Sequence, residues 1–547
     1  MPPPVEPLPA GLAAALARPA AHPFDASAAA GVEHVQTHLS HVYLTGARAW
    51  KLRKAAALGF VDFATRAKRN RDCAREVRLN RRLARDVYLG VAPVEADPAG
   101  GFRIGALAPD ADEETLARDP HEHVVAMRRL PAGHDALALL ERGALHARHL
   151  DAVAERLARF HAEHGLGVPA PFTPDAWRAR IEGPVRDNLR LLEPAAGRLF
   201  PRSTWRQVEQ RTSAFADAHA GRFEARRREG RAVDGHGDVH LQHVWFEPGR
   251  AEPLLVDCIE FRDDLRRIDA ASEVAFLAMD LRYRRRAQLA ARFLRRYAAA
   301  RDDFGLYGVL DYFVSYRAAV RAKVAALAAD DGAIEPGQRA AAAASARRHL
   351  ALAARALAPP RAGGLVLVGG LVGSGKSSVA ETMADTAGGV VVASDRVRKA
   401  LAGLAPTARG GAARGLYDSA AKERVYQALL ERAEPITASG RIAILDATYA
   451  LERHRAAALA WARGRGIEPV LVEARCPHET TLARLAARAA AGRDPSDAGP
   501  ELLAWSERHY QPPRAGVIVI ETHQPDWRTR ARSLARRLHP TREPAEE

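Results

Sequence analysis

The sequence is poor in cysteine, and it has no long apolar run. Its three cysteines, Cys73, Cys258 and Cys476, lie far apart, and this spacing predicts neither a disulfide framework nor a zinc site. No stretch approaches the about 18 consecutive apolar residues that a membrane-spanning helix requires, and the N-terminal stretch lacks the basic region of a secretory signal. We therefore expect a cytoplasmic protein in a reducing compartment, without a membrane as partner.

Lysine is also scarce, although the chain carries a formal net charge of +15. A dense basic surface attracts polyanions because it releases their counterions, so this charge makes nucleic acid an alternative partner. However, arginine and alanine are abundant along the whole chain, and no compact Lys/Arg run carries interleaved aromatic residues. Nucleic acid is therefore a possible partner, but a composition bias of the whole chain explains the charge better. The pattern leaves the oligomeric state open.

The length of 547 residues predicts more than one domain, because single hydrophobic cores stop growing at about 250–300 residues. Hydrophobic residues make up 47% of the chain, which is enough to build such cores. The break PPRAGG follows an Ala-rich segment of helical propensity and marks a domain boundary. We predict a Pro/Ala-rich tail at 1–30, an N-terminal domain at 31–357, a linker at 358–364 and a C-terminal domain at 365–547.

In the C-terminal domain, short apolar runs alternate with helical segments. Such alternation is typical of a parallel sheet with right-handed crossover connections and flanking helices. The predicted strands are 365–368, 390–392, 442–445, 470–472 and 517–520.

The sequence GLVGSGKS at residues 370–377 comes directly after the first of these strands and matches the phosphate-loop pattern G-x-x-x-x-G-K-[ST]. Its glycines let the backbone curl, so that N–H groups point at phosphate oxygens from the N-terminus of a helix. Lys376 is expected to act in catalysis by reaching the β- and γ-phosphates, and the Ser377 hydroxyl is expected to bind Mg²⁺. The predicted nucleotide-binding residues are Gly370, Gly373, Ser374, Gly375, Lys376, Ser377 and Ser378.

Acidic residues come after the next two strands. Asp395 lies in the sequence SDRVRK, at the carboxyl edge of the predicted sheet, where ligands of such folds bind. It is a candidate to accept a proton from a substrate hydroxyl, with Arg398 binding an anionic part of the substrate. A helix N-cap followed by a solvated basic face is the alternative. Asp446 ends the third strand in ILDATY and suits a role in ordering Mg²⁺.

A later segment, TLARLAARAAAGRDPSD, places Arg484, Arg488 and Arg493 on a helix followed by a polar loop. This layout is typical of a mobile lid that brings positive charge to a transferring phosphoryl group. Because arginine is common everywhere in this chain, a solvent-exposed helix surface is the alternative for each of them.

Together, GLVGSGKSSVA, SDRVRK, ILDATY and the arginine-bearing segment resemble the AAA/zeta-toxin-like and polynucleotide-kinase-like branch of P-loop kinases. The resemblance extends from residue 364 to the C-terminus, and the phosphate loop is its most specific part. It implies phosphoryl transfer from ATP to a hydroxyl group, with ATP and Mg²⁺ as cofactors. It does not identify the acceptor.

The N-terminal domain has a different pattern. Residues 32–54 predict strands broken by the turn Thr-Gly-Ala, and residues 72–83 predict a helix. Helical periodicity then dominates 140–227. Two short β segments, at 244–246 and 254–256, are joined by a Pro/Gly turn.

One lysine and one glutamate in this region are spaced for a nucleotide site. Lys51 lies on the predicted strand and Glu76 on the next helix along the chain, which permits the ion pair that orients a lysine on the α- and β-phosphates. We favour Lys51 because its side chain shares a strand face with Ala49, and Arg53 or Lys54 are the alternatives.

The sequence HGDVH at residues 236–240 is short, but its setting makes it informative. In kinases, a catalytic-loop Asp accepts the hydroxyl proton five residues before a metal-binding Asn, and a hairpin then delivers a second metal-binding Asp. Asp238, the predicted hairpin and Asp257 in LLVDCIEF reproduce that order.

The sequences AWKLRK, CAREVRLNRRL, HGDVHLQHVWF and LLVDCIEF resemble the aminoglycoside phosphotransferase-like branch of the protein-kinase fold, over about residues 32–357. The resemblance implies that Lys51 and Glu76 bind nucleotide phosphates, that Asp238 is the catalytic base, and that Asp257 binds Mg²⁺. Two features depart from it: His243 stands at the position of the metal-binding Asn, and no G-x-G-x-x-G loop is visible. Mg²⁺ prefers hard oxygen donors to imidazole.

The sequence thus predicts an α+β domain of protein-kinase-like fold joined to an α/β P-loop NTPase domain with a parallel sheet flanked by helices. The predicted function is a bifunctional, ATP-dependent phosphotransferase acting on an alcohol group of a small molecule. Because of His243, a regulatory, catalytically impaired N-terminal module is a second hypothesis. A nucleic-acid-end kinase is a third, based on the basic charge and the polynucleotide-kinase-like motifs.

Overall fold

The structure, a computed structural model, describes residues 5–58, 61–404, 419–491, 500–513 and 516–538. The strands of these residues are β1 (Glu33–Gln36), β2 (Ser40–Leu44), β3 (Arg48–Arg53), β4 (Ala57–Leu58), β5 (Val61–Asp62), β6 (Tyr88–Ala96), β7 (Phe102–Ile104), β8 (Glu122–Arg128), β9 (Ala232–Asp234), β10 (Val244–Trp245), β11 (Leu254–Leu255), β12 (Arg267–Asp269), β13 (Gly364–Gly369), β14 (Val390–Ala393), β15 (Ile442–Asp446), β16 (Pro469–Arg475) and β17 (Val517–Glu521). The α-helices are α1 (Leu12–Leu16), α2 (Arg66–Ala84), α3 (Glu113–Arg118), α4 (Ala136–Glu141), α5 (Ala147–Glu163), α6 (Pro174–Leu192), α7 (Arg202–Ala218), α8 (Ala220–Arg228), α9 (Ala270–Tyr283), α10 (Ala287–Arg301), α11 (Leu310–Asp330), α12 (Pro336–Ala356), α13 (Lys376–Ala387), α14 (Ser394–Leu401), α15 (Ser419–Ala438), α16 (Glu452–Arg463), α17 (His478–Ala491), α18 (Pro500–His509) and α19 (Trp527–Leu538).

By packing, the chain divides into two compact units. The first consists of Met1–Arg156, Glu163–Gly167 and Gly230–Glu273, and the second of Leu157–Ala162, Val168–Glu229 and Val274–Glu547. Helices α6 to α8 and α10 to α12, together with α9 from Val274 onward, therefore belong to the same unit as the C-terminal sheet. The domain boundaries expected from the sequence stay a prediction. Among the described residues, no helix combines the length and the apolar character that crossing a membrane requires.

The first unit is built on a six-stranded antiparallel sheet of order β1-β2-β3-β8-β6-β7. Because successive side chains of a strand point to opposite faces, β3 divides its residues between two environments. Trp50 and Leu52 are buried with Tyr43 in an apolar cluster on one face. Lys51 and Arg53 face the other way and bind acidic side chains of α2.

Helix α2 begins six residues before the predicted start at residue 72. The side chain of Thr65 caps the helix by accepting a hydrogen bond from the Lys68 N–H at 3.4 Å, and such a cap fixes the start of a helix. The first turns of α2 are strongly basic, so hydrophobic periodicity does not predict that they are buried. Arg69 is nevertheless buried, because Glu122 of β8 accepts from its Nε at 3.0 Å.

A loop and a hairpin complete the first unit. Strand β9 pairs with β12, and β10 pairs with β11 in the predicted hairpin. The segment 235–243 runs from β9 to β10 and carries the HGDVH sequence.

The C-terminal part of the second unit is a five-stranded sheet of order β14-β15-β13-β16-β17, with every neighbouring pair parallel. Each of the five predicted strands is present. Helices α13 and α19 pack together against the apolar side chains of the central strands, and α15 and α16 also pack on the sheet. The predicted parallel sheet with flanking helices is confirmed.

The helical part of the second unit packs against this sheet domain through partly buried ion pairs. The buried Arg295 of α10 donates to Asp385 at 2.5 Å and to Glu381 at 3.1 Å, both on α13. Arg441, immediately before β15, binds Asp311 of α11 at 2.7 Å. Helix α10 thus forms ion pairs with α13, the helix that begins at the phosphate loop.

Candidate functional site

The GLVGSGKS segment forms the turn between β13 and α13, as predicted. Gly370, Gly373 and Gly375 have positive φ angles of 132°, 77° and 91°. A Cβ atom on Gly370 would lie 2.3 Å from the carbonyl oxygen of Ala474. The loop therefore requires glycine at this position for both its backbone conformation and its packing.

The loop presents unsatisfied polar groups at the start of α13. Gly375 is the N-cap of this helix and provides no side-chain capping bond, so the first N–H groups are available to an anion. The Ser374 hydroxyl is buried and has no hydrogen-bond partner among the described residues. Lys376 donates from Nζ to the Leu371 carbonyl at 2.8 Å within the loop. These groups fit a phosphate ligand.

Asp446 lies beside the loop, at the end of the neighbouring strand β15. It is buried, and the Ser377 side chain lies close enough to lower its pKa. Burial raises the pKa of Asp446 to about 6, although the charge of Lys376 and the nearby Ser377 side chain oppose this change. A hydroxyl and a carboxylate side by side are hard oxygen donors of the kind Mg²⁺ prefers, so these residues fit the ion.

The second predicted carboxylate is paired within its own helix. Asp395 lies in the first turn of α14 and accepts from Arg398 Nη1 at 2.6 Å. The N-cap of α14 is Ala393, without a side-chain hydrogen bond, so neither Ser394 nor Asp395 caps the helix.

The first arginine of the predicted lid contacts the framework of the loop. Arg484 of α17 donates to the side chain and the carbonyl of Thr522, at 2.8 and 2.9 Å. The Thr522 hydroxyl in turn donates to the Ser374 carbonyl at 2.6 Å. Arg484 is therefore connected to the phosphate loop through a single intervening residue, Thr522. The side chain of Arg488 and the whole of Arg493 lie outside the described residues.

In the first unit, the predicted lysine and glutamate are in contact. Lys51 Nζ donates to Glu76 at 2.9 Å and to Asp257 at 2.8 Å. Glu76 is fully buried, whereas the Asp257 side chain is half-exposed. Partial desolvation opposes ionisation of Asp257, but the nearby charge of Lys51 holds its pKa below the usual range. Asp257 has a φ of 61°, which is uncommon for a residue with a side chain and recurs at functional sites.

Arg53, one of the two alternatives to Lys51, has a separate position. It is buried and binds Asp72 at 2.6 Å, Glu260 at 2.5 Å and also Glu76. Glu76 thus accepts from two cations, of which only Lys51 reaches Asp257. Sequence reasoning missed this network, although Glu260 lies within the LLVDCIEF segment.

Asp238 and Asp257 are linked through His243. Asp238 Oδ2 lies 3.4 Å from His243 Nδ1, and Asp257 Oδ2 lies 3.6 Å from its Nε2. His243 Nδ1 donates to the Asp238 carbonyl at 2.9 Å, which leaves Nε2 as an acceptor. Burial lowers the pKa of His243, and the neighbouring His240 contributes to this change. A neutral imidazole therefore faces a carboxylate, and a cation could lie between these two acceptors.

Three side chains of this loop form a potential metal-binding cluster. Asp238, His240 and His243 each offer one ligand atom, and these atoms lie within 4.8 Å of one another. Two imidazoles with one carboxylate suit a transition-metal ion such as Zn²⁺ better than Mg²⁺. The donor set at His243 therefore does not fit the predicted Mg²⁺.

The conformation of the HGDVH loop depends on residues that the sequence analysis did not single out. Glu273 accepts from the backbone N–H groups of His236 and Gly237, at 2.7 and 3.0 Å. His236 Nε2 donates to the Val256 carbonyl at 2.9 Å. This bond ties the loop to the residue before Asp257. Burial lowers the pKa of His236 to about 3, so the ring is neutral and keeps this bond.

These features define the class of protein. The loop, the parallel sheet and the Ser377–Asp446 pair make the C-terminal segment a P-loop nucleotide-binding domain, and residues 365–513 match the family described as an AAA domain. The chain belongs to the family of the uncharacterized protein Rv2004c of Mycobacterium tuberculosis (strain ATCC 25618 / H37Rv), with which it is 34% identical over 500 residues, 90% of each chain. The uncharacterized protein Mb2027c of Mycobacterium bovis (strain ATCC BAA-935 / AF2122/97) matches with the same identity and coverage.

Several solved structures are similar to parts of the chain. A choline/ethanolamine kinase family protein from Mesorhizobium loti covers 62% of this chain and 98% of its own, with 15% identity and a TM-score of 0.35. Amicoumacin kinase hAmiN, in complex with AMP-PNP, Ca²⁺ and Ami, covers 58% and 88%, with 12% identity and a TM-score of 0.36. The APS kinase CysC of Mycobacterium tuberculosis, in complex with AMPPNP and APS, covers 32% and 96%, with 24% identity and a TM-score of 0.25.

Proposed function

We propose that the chain is an ATP-dependent phosphotransferase that transfers the γ-phosphoryl group of ATP to a hydroxyl group of a small molecule. One observation carries the proposal. At the N-terminus of α13, the uncapped helix start and the unpartnered Ser374 hydroxyl lie in the same loop as Lys376, and Ser377 lies beside the buried carboxyl of Asp446. This combination supplies N–H groups for an anion, a cation and a set of metal ligands, which are the parts that phosphoryl transfer requires.

In the proposed reaction, the acceptor oxygen forms a bond to the γ-phosphorus. The bond between that phosphorus and the β,γ-bridging oxygen breaks, and ADP leaves with the electron pair. Asp395 is the proposed acceptor of the hydroxyl proton, after its release from Arg398. Mg²⁺, held by Ser377 and Asp446, would neutralise charge on the phosphate oxygens.

Arginines and lysine have separate proposed roles in the same step. Lys376 would leave the Leu371 carbonyl and bind the β- and γ-phosphates. Arg484 and Arg488 would add positive charge from α17, where charge develops in the transition state.

A second candidate function is phosphoryl transfer at the first unit. The contacts of Lys51 with both Glu76 and Asp257 favour it, because a lysine held between two carboxylates is oriented before nucleotide binds. Asp238 would then be the catalytic base and Asp257 a metal ligand. The donor set at His243 supports the alternative, a regulatory unit that binds nucleotide without efficient transfer.

The test compares full-length variants in a screen for ATP-dependent phosphorylation of a metabolite mixture. Lys376→Ala is expected to reduce product formation about 100- to 1000-fold, the loss typical of removing one transition-state donor. Lys68→Ala, which removes an exposed lysine, is the matched control and should leave turnover unchanged. Turnover of Lys376→Ala equal to the control would refute the main proposal.

The same screen decides the second candidate. If Asp238→Asn removes a set of products that survives in Lys376→Ala, the first unit is itself a phosphotransferase. If Asp238→Asn changes no product, the first unit is regulatory. A 5′-hydroxyl oligonucleotide in the mixture tests the nucleic-acid-end kinase alternative.

A further inference from the structure

The second unit contains a cavity of about 730 Å³ away from the phosphate loop. It lies between α9, α10 and the segment after α12 on one side, and the end of α13, the start of β14 and the segment before β15 on the other. Its volume is that of a typical small-molecule site.

The lining of this cavity is strongly basic. It includes six arginines and no acidic side chain, and the arginines are Arg282, Arg285, Arg286, Arg355, Arg361 and Arg441. Asp311, outside the lining, binds Arg441 at 2.7 Å and Arg282 at 3.4 Å, so one carboxylate is shared by two cations. A lining with six guanidinium groups and no carboxylate favours an anionic ligand.

A helix N-terminus contributes further positive potential. The first three residues of α10, Ala287, Gln288 and Leu289, line the cavity. The N-cap residue Arg286 forms no side-chain capping bond, and the first turn contains no acidic residue. The N–H groups of this turn are thus directed to an anion site without an internal acceptor.

A buried side chain provides an independent indication of a ligand. Tyr307 lines the cavity with only 3% of its surface exposed. Its hydroxyl has no hydrogen-bond partner among the described residues, and a buried hydroxyl without a partner is costly. The guanidinium of Arg441 lies over the ring, 5.5 Å from its centre. An oxygen of a bound anion would satisfy the hydroxyl beside this cation.

We propose that this cavity binds a small molecule carrying two or more phosphate groups. Phosphate matches the bidentate geometry of guanidinium groups and the N–H groups of a helix start. Because several arginines line the cavity, we expect the ligand to carry more than one negative charge. The ligand would join α10 to the end of α13, the helix that begins at the phosphate loop. We therefore expect it to regulate nucleotide turnover rather than to react.

The test uses inorganic triphosphate as the probe and hydrogen exchange of the full-length Lys376→Ala chain as the readout. We expect triphosphate to protect the amides of residues 287–289. The double substitution Arg286→Ala/Arg361→Ala, at two exposed positions, should weaken this protection at least tenfold in apparent affinity. A double substitution of the exposed Arg190 and Arg202 by Ala removes the same charge elsewhere and should leave affinity within about twofold.

A second variant separates binding from folding. Tyr307→Phe removes only the unpartnered hydroxyl, so we expect a normally folded chain with about tenfold weaker triphosphate binding, as for a hydrogen bond to a charged group. The proposal is overturned if triphosphate leaves residues 287–289 unprotected, or if both arginine double variants bind it equally. Tighter protection by citrate than by triphosphate would overturn the assignment to phosphate.

Discussion

Asp446→Asn is expected to stabilise the metal-free chain while it abolishes nucleotide turnover. Burial raises the pKa of this carboxyl from 3.8 to about 6, so the folded state disfavours the ionised form. This change corresponds to about 3 kcal/mol of lost folding stability. Asparagine keeps an oxygen that can accept from Ser377, but it carries no charge to be buried.

The sign of the pH dependence is set by the raised pKa. Below pH 3.8 the carboxyl is protonated in the folded and unfolded states, and ionisation costs nothing. As pH rises from 3.8 through 6, the unfolded state ionises first, and the full cost is present above pH 6. The gain from Asp446→Asn should therefore be about 3 kcal/mol at pH 8 and should shrink towards zero at pH 4.

Urea unfolding in EDTA at several pH values between 4 and 8 measures this gain. Asp526→Asn, at an exposed carboxylate, is the control for the change in net charge and should show little pH dependence. A variant no more stable than the parent at pH 8, or equally stabilised at pH 4, would refute the assignment of a buried, ionised carboxyl. Retained turnover with Mg²⁺ would refute its role as a ligand.

Three further predictions concern single side chains. Glu76→Gln leaves two buried cations without their shared carboxylate, so urea unfolding should show a loss of about 3–5 kcal/mol; an unchanged transition would contradict this. His243→Asn replaces an imidazole by an amide oxygen, and calorimetry should show AMP-PNP binding at the first unit strengthened by Mg²⁺ and less by Zn²⁺; an unaltered metal preference would contradict it. Gly370→Ala places a Cβ atom 2.3 Å from a backbone oxygen, whereas Gly466 also has a positive φ, of 69°, but open space around it. Calorimetry should therefore show loss of ATP binding in Gly370→Ala only, and equal binding in Gly466→Ala would be the contrary result.

The C-terminal fold was predictable because its signals are local. Each of the five strands is a short apolar run, and the glycine spacing of the phosphate loop determines its backbone conformation without help from distant residues. The contact between Lys51 and Glu76 was also predictable, since Lys51 lies on a strand and Glu76 on the next helix along the chain. The start of α2 was not, because its buried arginine is compensated by Glu122, far away in sequence.

The pairing of charged side chains could not be read from the sequence. Arg53 and Lys51 occupy the same face of β3, and only the packing of α2 determines that Lys51 alone reaches Asp257. Asp395 and Arg398 were assigned separate roles, but their spacing of three residues on a helix also favours the ion pair that the structure shows. The hydrogen bonds from the HGDVH loop to Glu273 depend on a helix that begins more than thirty residues later in the sequence.

The buried Arg295 also has a practical consequence for dissecting the protein. A fragment that begins at residue 365 would lack α10 and α11, and it would expose Asp385, Glu381 and Arg441 without their partners. Such a fragment would present unpaired charges beside bare apolar helix surface and would be prone to aggregate. Its inactivity would therefore report poor folding rather than a missing catalytic group.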